Sequence, residues 1–243
     1  MKNSSVIMEY PTLENTPIKE IVFSISFDEN TNNHSSAERF IQLDDINNKF
    51  DEINNIFGQT VKFDKEKTPL ISKDQIGYDL KSKHEVLRLR NGRFSYHFLN
   101  NYQEFDEILT KFIYYWNLYN KNIAGELNIT NCSVRYINLI EIDEDEQASR
   151  LVQLYPKYSS DRDILAFQNA VKFQYKESPE SEINVVTSKI DDQNILLDIT
   201  ANHTISLKNL DNIKMHFAPL QQLKNKAFFD SITAKALLKY LKK

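Results

Sequence analysis

Apolar and polar residues alternate with a period of two in much of this chain, and this alternation constrains its fold more than any other feature. In residues 18–27, isoleucine or phenylalanine occupies positions 21, 23, 25 and 27, with serines at 24 and 26. This period is typical of a half-buried strand, because successive side chains point to opposite faces. The same reasoning predicts further strands at 60–63, 75–80, 84–90, 93–99, 132–142, 167–175, 183–189 and 194–200.

The strongest turn signal lies between two of these segments. Asn91-Gly92 separates 84–90 from 93–99, and this dipeptide favours a tight two-residue hairpin. In the returning strand Phe94, Tyr96 and Phe98 share one face. We therefore expect antiparallel meanders.

Helical spacing replaces the alternation in two places in the first part of the chain. Apolar residues recur three and four apart from Leu43 to Phe57, which predicts an amphipathic helix ending at Gly58, after a polar loop at 28–42. A second helix is predicted from Tyr102 to Asn120. Its aromatic residues form more than one stripe, which indicates burial on two sides, within the chain or in a dimer.

The C-terminal region also has helical spacing. The segment at 205–218 is apolar but mixed in pattern, and Pro219 is expected to interrupt it. Residues 220–229 and 232–241 then look helical, with Ser231 or Thr233 as the cap between them.

The order of these elements predicts an α+β fold of two pseudo-repeated halves, each an antiparallel β-meander curled against a long α-helix. We expect an extended N-terminal arm at 1–17, a first half at 18–125, and a second half at 126–243 packed on the first. Pro11 and Pro17 favour the extended arm. Each half is expected to form its own antiparallel sheet.

Composition narrows the function classes. The 243 residues carry a net charge of −4, which argues against strong nonspecific binding to duplex DNA. The four glycines do not cluster into a phosphate-binding loop, and the single cysteine favours a reducing compartment. We find neither a signal peptide nor an apolar run of membrane-spanning length, and expect a cytoplasmic protein.

Residues able to perform catalysis are present but show no known pattern. The five histidines lack metal-ligand spacing, Cys132 is expected to be a buried core residue, and the acidic group at 141–146 is expected to be a solvated turn. Asp198 and Arg135 lie between apolar residues, and we expect them to take part in a structural ion pair. The sequence therefore predicts no catalytic residue, no metal site and no cofactor.

One basic and aromatic cluster is visible. Arg88, Arg90 and Arg93 flank the predicted hairpin, and Tyr96 follows them. Such a cluster on a sheet can bind single-stranded nucleic acid, with the arginines on phosphates and the ring against a base. An ordinary solvated sheet surface is the favoured alternative.

Several short stretches, in order along nearly the whole chain, resemble a sporadically distributed family of bacterial proteins to which no activity is assigned. The stretches are 15–20, 87–94, 102–105, 134–138, 197–199, 215–216 and 229–233. The resemblance implies a bacterial α+β protein, and the sporadic distribution suggests mobile or defence-related gene neighbourhoods.

The sequence favours a non-enzymatic binding or interaction module, as a subunit of a bacterial defence or toxin–antitoxin assembly. The expected partner is another protein, either an effector encoded in the same operon or a second copy of the chain, with no membrane involved. A nucleic-acid or nucleotide sensor using residues 88–98 is one alternative. An unrecognised metal-dependent hydrolase built on scattered carboxylates is another.

Overall fold

The structure is a computed structural model that describes residues 10–28, 32–62, 70–99, 104–123, 126–143, 147–156, 164–208 and 212–241. Within these ranges, no helix is both long and apolar enough to cross a membrane.

The described residues form one nine-stranded antiparallel sheet, in the order β2-β3-β4-β5-β1-β6-β9-β8-β7, and five helices. The strands are β1 (Ile18–Phe27), β2 (Glu52–Lys62), β3 (Leu70–Lys81), β4 (Glu85–Arg90), β5 (Arg93–Leu99), β6 (Ile129–Glu141), β7 (Gln168–Phe173), β8 (Ser181–Lys189) and β9 (Asn194–Leu207). The helices are α1 (Asn32–Ile41), α2 (Asp44–Asn47), α3 (Phe105–Lys121), α4 (Ile213–Ser231) and α5 (Ala234–Leu238), and a short 3₁₀ turn spans Ala148–Arg150.

The α+β class is confirmed, but the expectation of two separate sheets is wrong. β1 pairs with β5 on one side and with β6 on the other, so the two meanders continue into one another. The alternation in 18–27 indicated a strand but could not show which neighbours it would have. β1 lies near the middle of the sheet, where both of its edges are paired.

The helices pack on one face of this sheet. Phe23 in β1 contacts Phe105 and Phe112 of α3 and Phe217 of α4. Phe112 also contacts Phe217, so the wide apolar surface of α3 is covered within the chain by α4 as well as by the sheet. Because strand side chains alternate, Val22 and Ser24 point to the opposite face, which is called the open face below.

The hairpin predicted at Asn91-Gly92 is present between β4 and β5. Arg90 and Arg93 are register partners at its base, and Gly92 has a φ of 73°. That left-handed conformation is one that glycine adopts without the steric cost of a Cβ atom.

The helix predicted over 43–58 is wrong beyond its first turn. Only α2 is helical there, and residues 52–62 form β2, which pairs with β3 along its whole length. The spacing of Ile53 and Phe57 fits a helix, but pairing with a distant strand overrides such local periodicity. The polar loop predicted at 28–42 likewise contains α1, which is anchored by the buried Ala37 and Phe40.

The C-terminal helix is longer than predicted. α4 runs through Pro219 without ending, and its buried face includes Phe217, Leu220 and Phe228. Of the two predicted cap residues, Ser231 and Thr233, it is Thr233 that caps α5, since its side-chain oxygen accepts a hydrogen bond from the backbone N–H of Ala236 at 3.2 Å.

The described part of the N-terminal arm lies along the C-terminal helices. Leu13 bridges to Leu241, and the Glu14 N–H donates to the Tyr240 carbonyl at 2.9 Å. The ring of Tyr10 stacks on Phe229 with centroids 4.6 Å apart. Residues 1–9 of the predicted arm fall outside the described ranges.

Candidate functional site

Polar side chains cross the middle of the open face in register. Ser24 of β1 pairs with Ser95 of β5 and with Ser133 of β6, and all three serines are buried. Arg88 is the register partner of Ser95 on the next strand. An open sheet face is usually solvated and polar, so the burial of its central hydroxyl groups indicates that longer side chains lie around them.

Three arginines from three strands lie around these serines. They are Arg88 on β4, Arg93 on β5 and Arg135 on β6, and together with the three serines they are called the arginine face below. Burial lowers the pKa of Arg93, and the nearby charges of Arg135 and Arg88 lower it further. Like charges repel, and an anion placed among them would relieve this repulsion.

Arg135 is neutralised within the chain. Its guanidinium binds both oxygens of Asp198 on β9, with distances of 2.9, 3.1 and 2.6 Å. These hydrogen bonds raise the pKa of Arg135. The predicted structural ion pair of Arg135 and Asp198 is therefore confirmed, in the forked geometry that makes such pairs strong.

Arg88 and Arg93 differ in how they are held. The Nε of Arg88 lies 3.7 Å from Asp79, a loose contact, and its side chain is 45% exposed. Arg93 donates to the hydroxyl of Ser24 at 2.9 Å and forms no ion pair with any residue in the described part of the chain. Arg93 is thus a positioned cation without a carboxylate partner there.

A second network on the open face joins β1 and β5. The Nδ1 of His97 lies 2.5 Å from Glu20, and its Nε2 lies 3.1 Å from the hydroxyl of Ser95. Burial lowers the pKa of His97, and the hydrogen bond from His97 lowers the pKa of Glu20. At neutral pH the ring is therefore neutral, donates through Nδ1 to the Glu20 carboxylate, and accepts from Ser95.

This chain of serine, histidine and carboxylate has the connectivity of a nucleophile, a base and an orienting group. Its setting does not suit that chemistry. Ser95 is only 5% exposed and lies in a strand whose neighbours β4 and β1 pair with it on both edges. Its neighbouring backbone N–H groups are used by the ladder, so they cannot stabilise an oxyanion. We assign the network to holding β5 beside β1.

The four residues predicted to bind nucleic acid are not all available on one surface. Arg88 and Arg93 lie on the open face. Arg90 is engaged, since it contacts Asp79 and donates to the carbonyls of Tyr78 and Leu89. Tyr96 points to the helices, is fully buried, and contacts Tyr115 of α3, so its ring cannot stack on a base.

The other aromatic residues of the hairpin follow Tyr96. Phe94 and Phe98 share its face and are buried under α3. Nucleic-acid-binding sheets present their aromatic rings on the exposed face. Here the basic side chains and the aromatic side chains lie on opposite faces, which alternation in 93–99 implies but the sequence-based hypothesis did not use.

The remaining candidates are dispersed. Cys132 is fully buried, and burial raises its pKa to about 12, as expected for a core residue. His203 and His216 lie with ring centroids 6.2 Å apart, and residues 144–146 of the predicted acidic turn fall outside the described ranges. Across the residues that the structure describes, no group of three histidine, cysteine or carboxylate side chains is placed to hold a metal ion.

Comparison with known proteins adds no identification. No protein-family model matches the chain, and no curated protein matches it.

Proposed function

We propose that this chain is a non-enzymatic interaction module that binds an acidic segment of a partner protein on its arginine face. The proposal rests on the environment of Arg93. Its guanidinium is fixed by Ser24, lies near two further arginines, and has no carboxylate partner in the described ranges. A carboxylate is the ligand that a positioned guanidinium binds best.

A protein partner is favoured over nucleic acid because the aromatic rings of residues 93–99 are buried, so none of them is exposed for stacking on a base. A carboxylate needs one positioned cation and a few hydroxyl donors, which is what Arg93 and its neighbours offer. A sensor of single-stranded nucleic acid remains the second candidate, resting on Arg88 and Arg93 alone.

The identity of the partner rests on the family resemblance. A sporadically distributed bacterial family suggests an effector encoded beside this chain, in a defence or toxin–antitoxin assembly within the cytoplasm. A second copy of the chain is the alternative partner, and a measurement of oligomeric state separates the two.

We also infer that the two halves arose by duplication. In each half the first strand pairs with the last strand of its meander, β1 with β5 and β6 with β9, and a long helix follows. The first half has one extra strand, β2. A superposition that places α3 and α4 at opposite ends of their meanders would contradict this inference.

The test of function is affinity capture from the native host with wild-type protein and with Arg93→Glu. We expect an acidic partner to be captured by wild type, to be released by increasing salt, and to be lost with Arg93→Glu. Lys214→Glu is the matched control, since Lys214 is exposed on α4, on the helix side of the sheet. Capture of the same partner by Arg93→Glu would show that the interface lies elsewhere.

A further inference from the structure

A cavity of about 380 Å³ lies on the helix side of the molecule, away from the arginine face. The N-terminal arm forms one wall, α4 forms the opposite wall, and β6 contributes Asn138. A cavity of this volume is at the small end of the range for ligand sites.

Lys224 is the unusual residue of this cavity. It lies on α4 among the buried positions of the helix and is only 7% exposed. Its amine sits over the ring of Tyr136, 3.5 Å from the centroid. It makes no hydrogen bond or ion pair with any residue in the described part of the chain. A lysine so deeply buried is nearly always paired, because moving an ammonium out of water is costly.

The cavity offers no internal counter-ion for this amine. Lys224 is the one charged residue among its described lining residues. Burial is the cause that lowers the pKa of Lys224 to about 7, without a contribution from a neighbouring charge. The other titratable groups that face it are the phenols of Tyr136 beneath the amine and Tyr10 on the cavity wall.

The rest of the lining divides into donors and apolar surface. Gln221 and Asn225 flank Lys224 on α4, and their amides form no hydrogen bond with the described residues. Leu13 and Phe228 line the cavity with Tyr10, whose ring stacks on Phe229. The cavity thus combines one cation, unused amide groups and an apolar wall, the usual composition of a site for a small amphipathic ligand.

We propose that this cavity binds a small organic acid, with its carboxylate against the amine of Lys224 and its apolar body between the N-terminal arm and α4. A single ammonium is a point charge that balances one carboxylate. A phosphate dianion would require further cations, which the described lining does not provide. This site is separate from the arginine face, and either one can exist without the other.

Proton uptake on binding provides the most specific test. In the ligand-free protein, the Lys224 amine titrates near pH 7 and is mostly neutral at about pH 8. A bound carboxylate favours the charged form, so the amine takes up a proton from the buffer on binding. Calorimetric titration with phenylacetate and with octanoate, in buffers of different ionisation enthalpy, measures this uptake. We expect nearly one proton per ligand at about pH 8 and almost none at about pH 6.

Neutral and doubly charged probes define the ligand class. Phenylacetamide keeps the ring but lacks the charge, and inorganic phosphate keeps the charge but lacks the apolar body. Both should bind at least about tenfold more weakly than phenylacetate, a difference of roughly 1.4 kcal/mol. Equal binding of the amide, or tighter binding of phosphate, would overturn the assignment to organic acids.

Lys224→Met should abolish carboxylate binding and its proton uptake. The matched control is Lys226→Met, two residues further along α4, since Lys226 is bound to Glu177 and does not line the cavity. This control should bind as wild type does. Were Lys224→Met unable to fold, the proton uptake of the wild-type protein would decide alone. Binding without uptake, binding that survives Lys224→Met, or no binding of either acid would refute the proposal.

Discussion

The two sides of the sheet differ in whether their buried or partly buried cations are paired with a carboxylate. On the open face, Arg135 is held beside Asp198 in a forked ion pair, so its charge is compensated within the chain. On the helix side, Lys224 is buried more deeply and has only the face of the Tyr136 ring beneath it. Burial alone therefore does not determine whether a charged residue has a counter-ion within the chain. The ion pair of Arg135 and Asp198 joins two strands of the sheet. The buried ammonium of Lys224 would gain a counter-ion only from a ligand.

Arg93 resembles Lys224 in having no carboxylate partner in the described ranges, although its residue is exposed. It is fixed in place by Ser24 but lacks a carboxylate partner in the described ranges. Water can solvate Arg93, whereas it reaches Lys224 poorly. The cost of leaving the charge uncompensated should therefore be large at Lys224 and smaller at Arg93.

The largest expected effect is a gain of stability in Lys224→Met. A pKa lowered from 10.5 to about 7 means that the folded protein disfavours the charged amine by about 5 kcal/mol below pH 7. A midpoint is the net effect on the ammonium, its contact with the Tyr136 ring included, so this contact is not subtracted a second time. We expect the free energy of unfolding to rise by several kcal/mol at about pH 6, as measured by urea denaturation.

The pH dependence of this gain has a definite sign. The unfolded chain binds more protons than the folded protein between pH 7 and 10.5, so wild-type stability increases with pH across that window relative to the variant. The advantage of Lys224→Met should therefore shrink as the pH rises from about 7 towards about 10. An advantage that is constant with pH would mean that the variant acts through packing and not through charge.

A smaller loss of stability is expected when the compensated pair is broken. Asp198→Asn leaves the guanidinium of Arg135 with a neutral acceptor in place of a carboxylate, and hydrogen bonds to charged groups contribute about 2 kcal/mol. Arg93→Met is the control, because Arg93 has a hydrogen bond to Ser24 but no ion pair in the described ranges, and substitutions of exposed side chains usually change stability by less than about 0.5 kcal/mol. Equal losses in the two variants would remove the distinction between the compensated and the uncompensated arginine.

The fold was predictable from sequence where local signals and long-range pairing agree. The alternation around Phe23 and the turn at Asn91-Gly92 gave the correct strands and faces, and the polar positions of Arg135 and Asp198 among apolar residues indicated their pairing. The helix predicted up to Phe57 failed because a distant strand, β3, determines the conformation of residues 52–62. Whether two meanders form one sheet depends likewise on contacts between distant segments, here those of β1 with β6.

The candidate sites were less predictable than the fold. Arg88 and Arg93 were identified from their position at a hairpin, but Tyr96 was assigned to their surface although it alternates onto the other face. The network of Glu20, His97 and Ser95 could have been predicted in part, because Ser95 and His97 are two apart on one strand and therefore share a face. No sequence pattern indicated the burial of Lys224, because it arises where the N-terminal arm, β6 and α4 meet, and these segments lie far apart in sequence.

A direct measurement of the Lys224 titration tests whether a buried charge without a counter-ion marks the cavity as a ligand site. Heteronuclear NMR of the lysine amines, with Lys224→Met to assign the resonance, gives the midpoint in the ligand-free protein and with phenylacetate bound. We expect a midpoint near 7 in the free protein and a large upward shift with the acid. A midpoint near the ordinary 10.5 in the free protein would mean that the charge is already compensated, and that the cavity needs no acidic ligand.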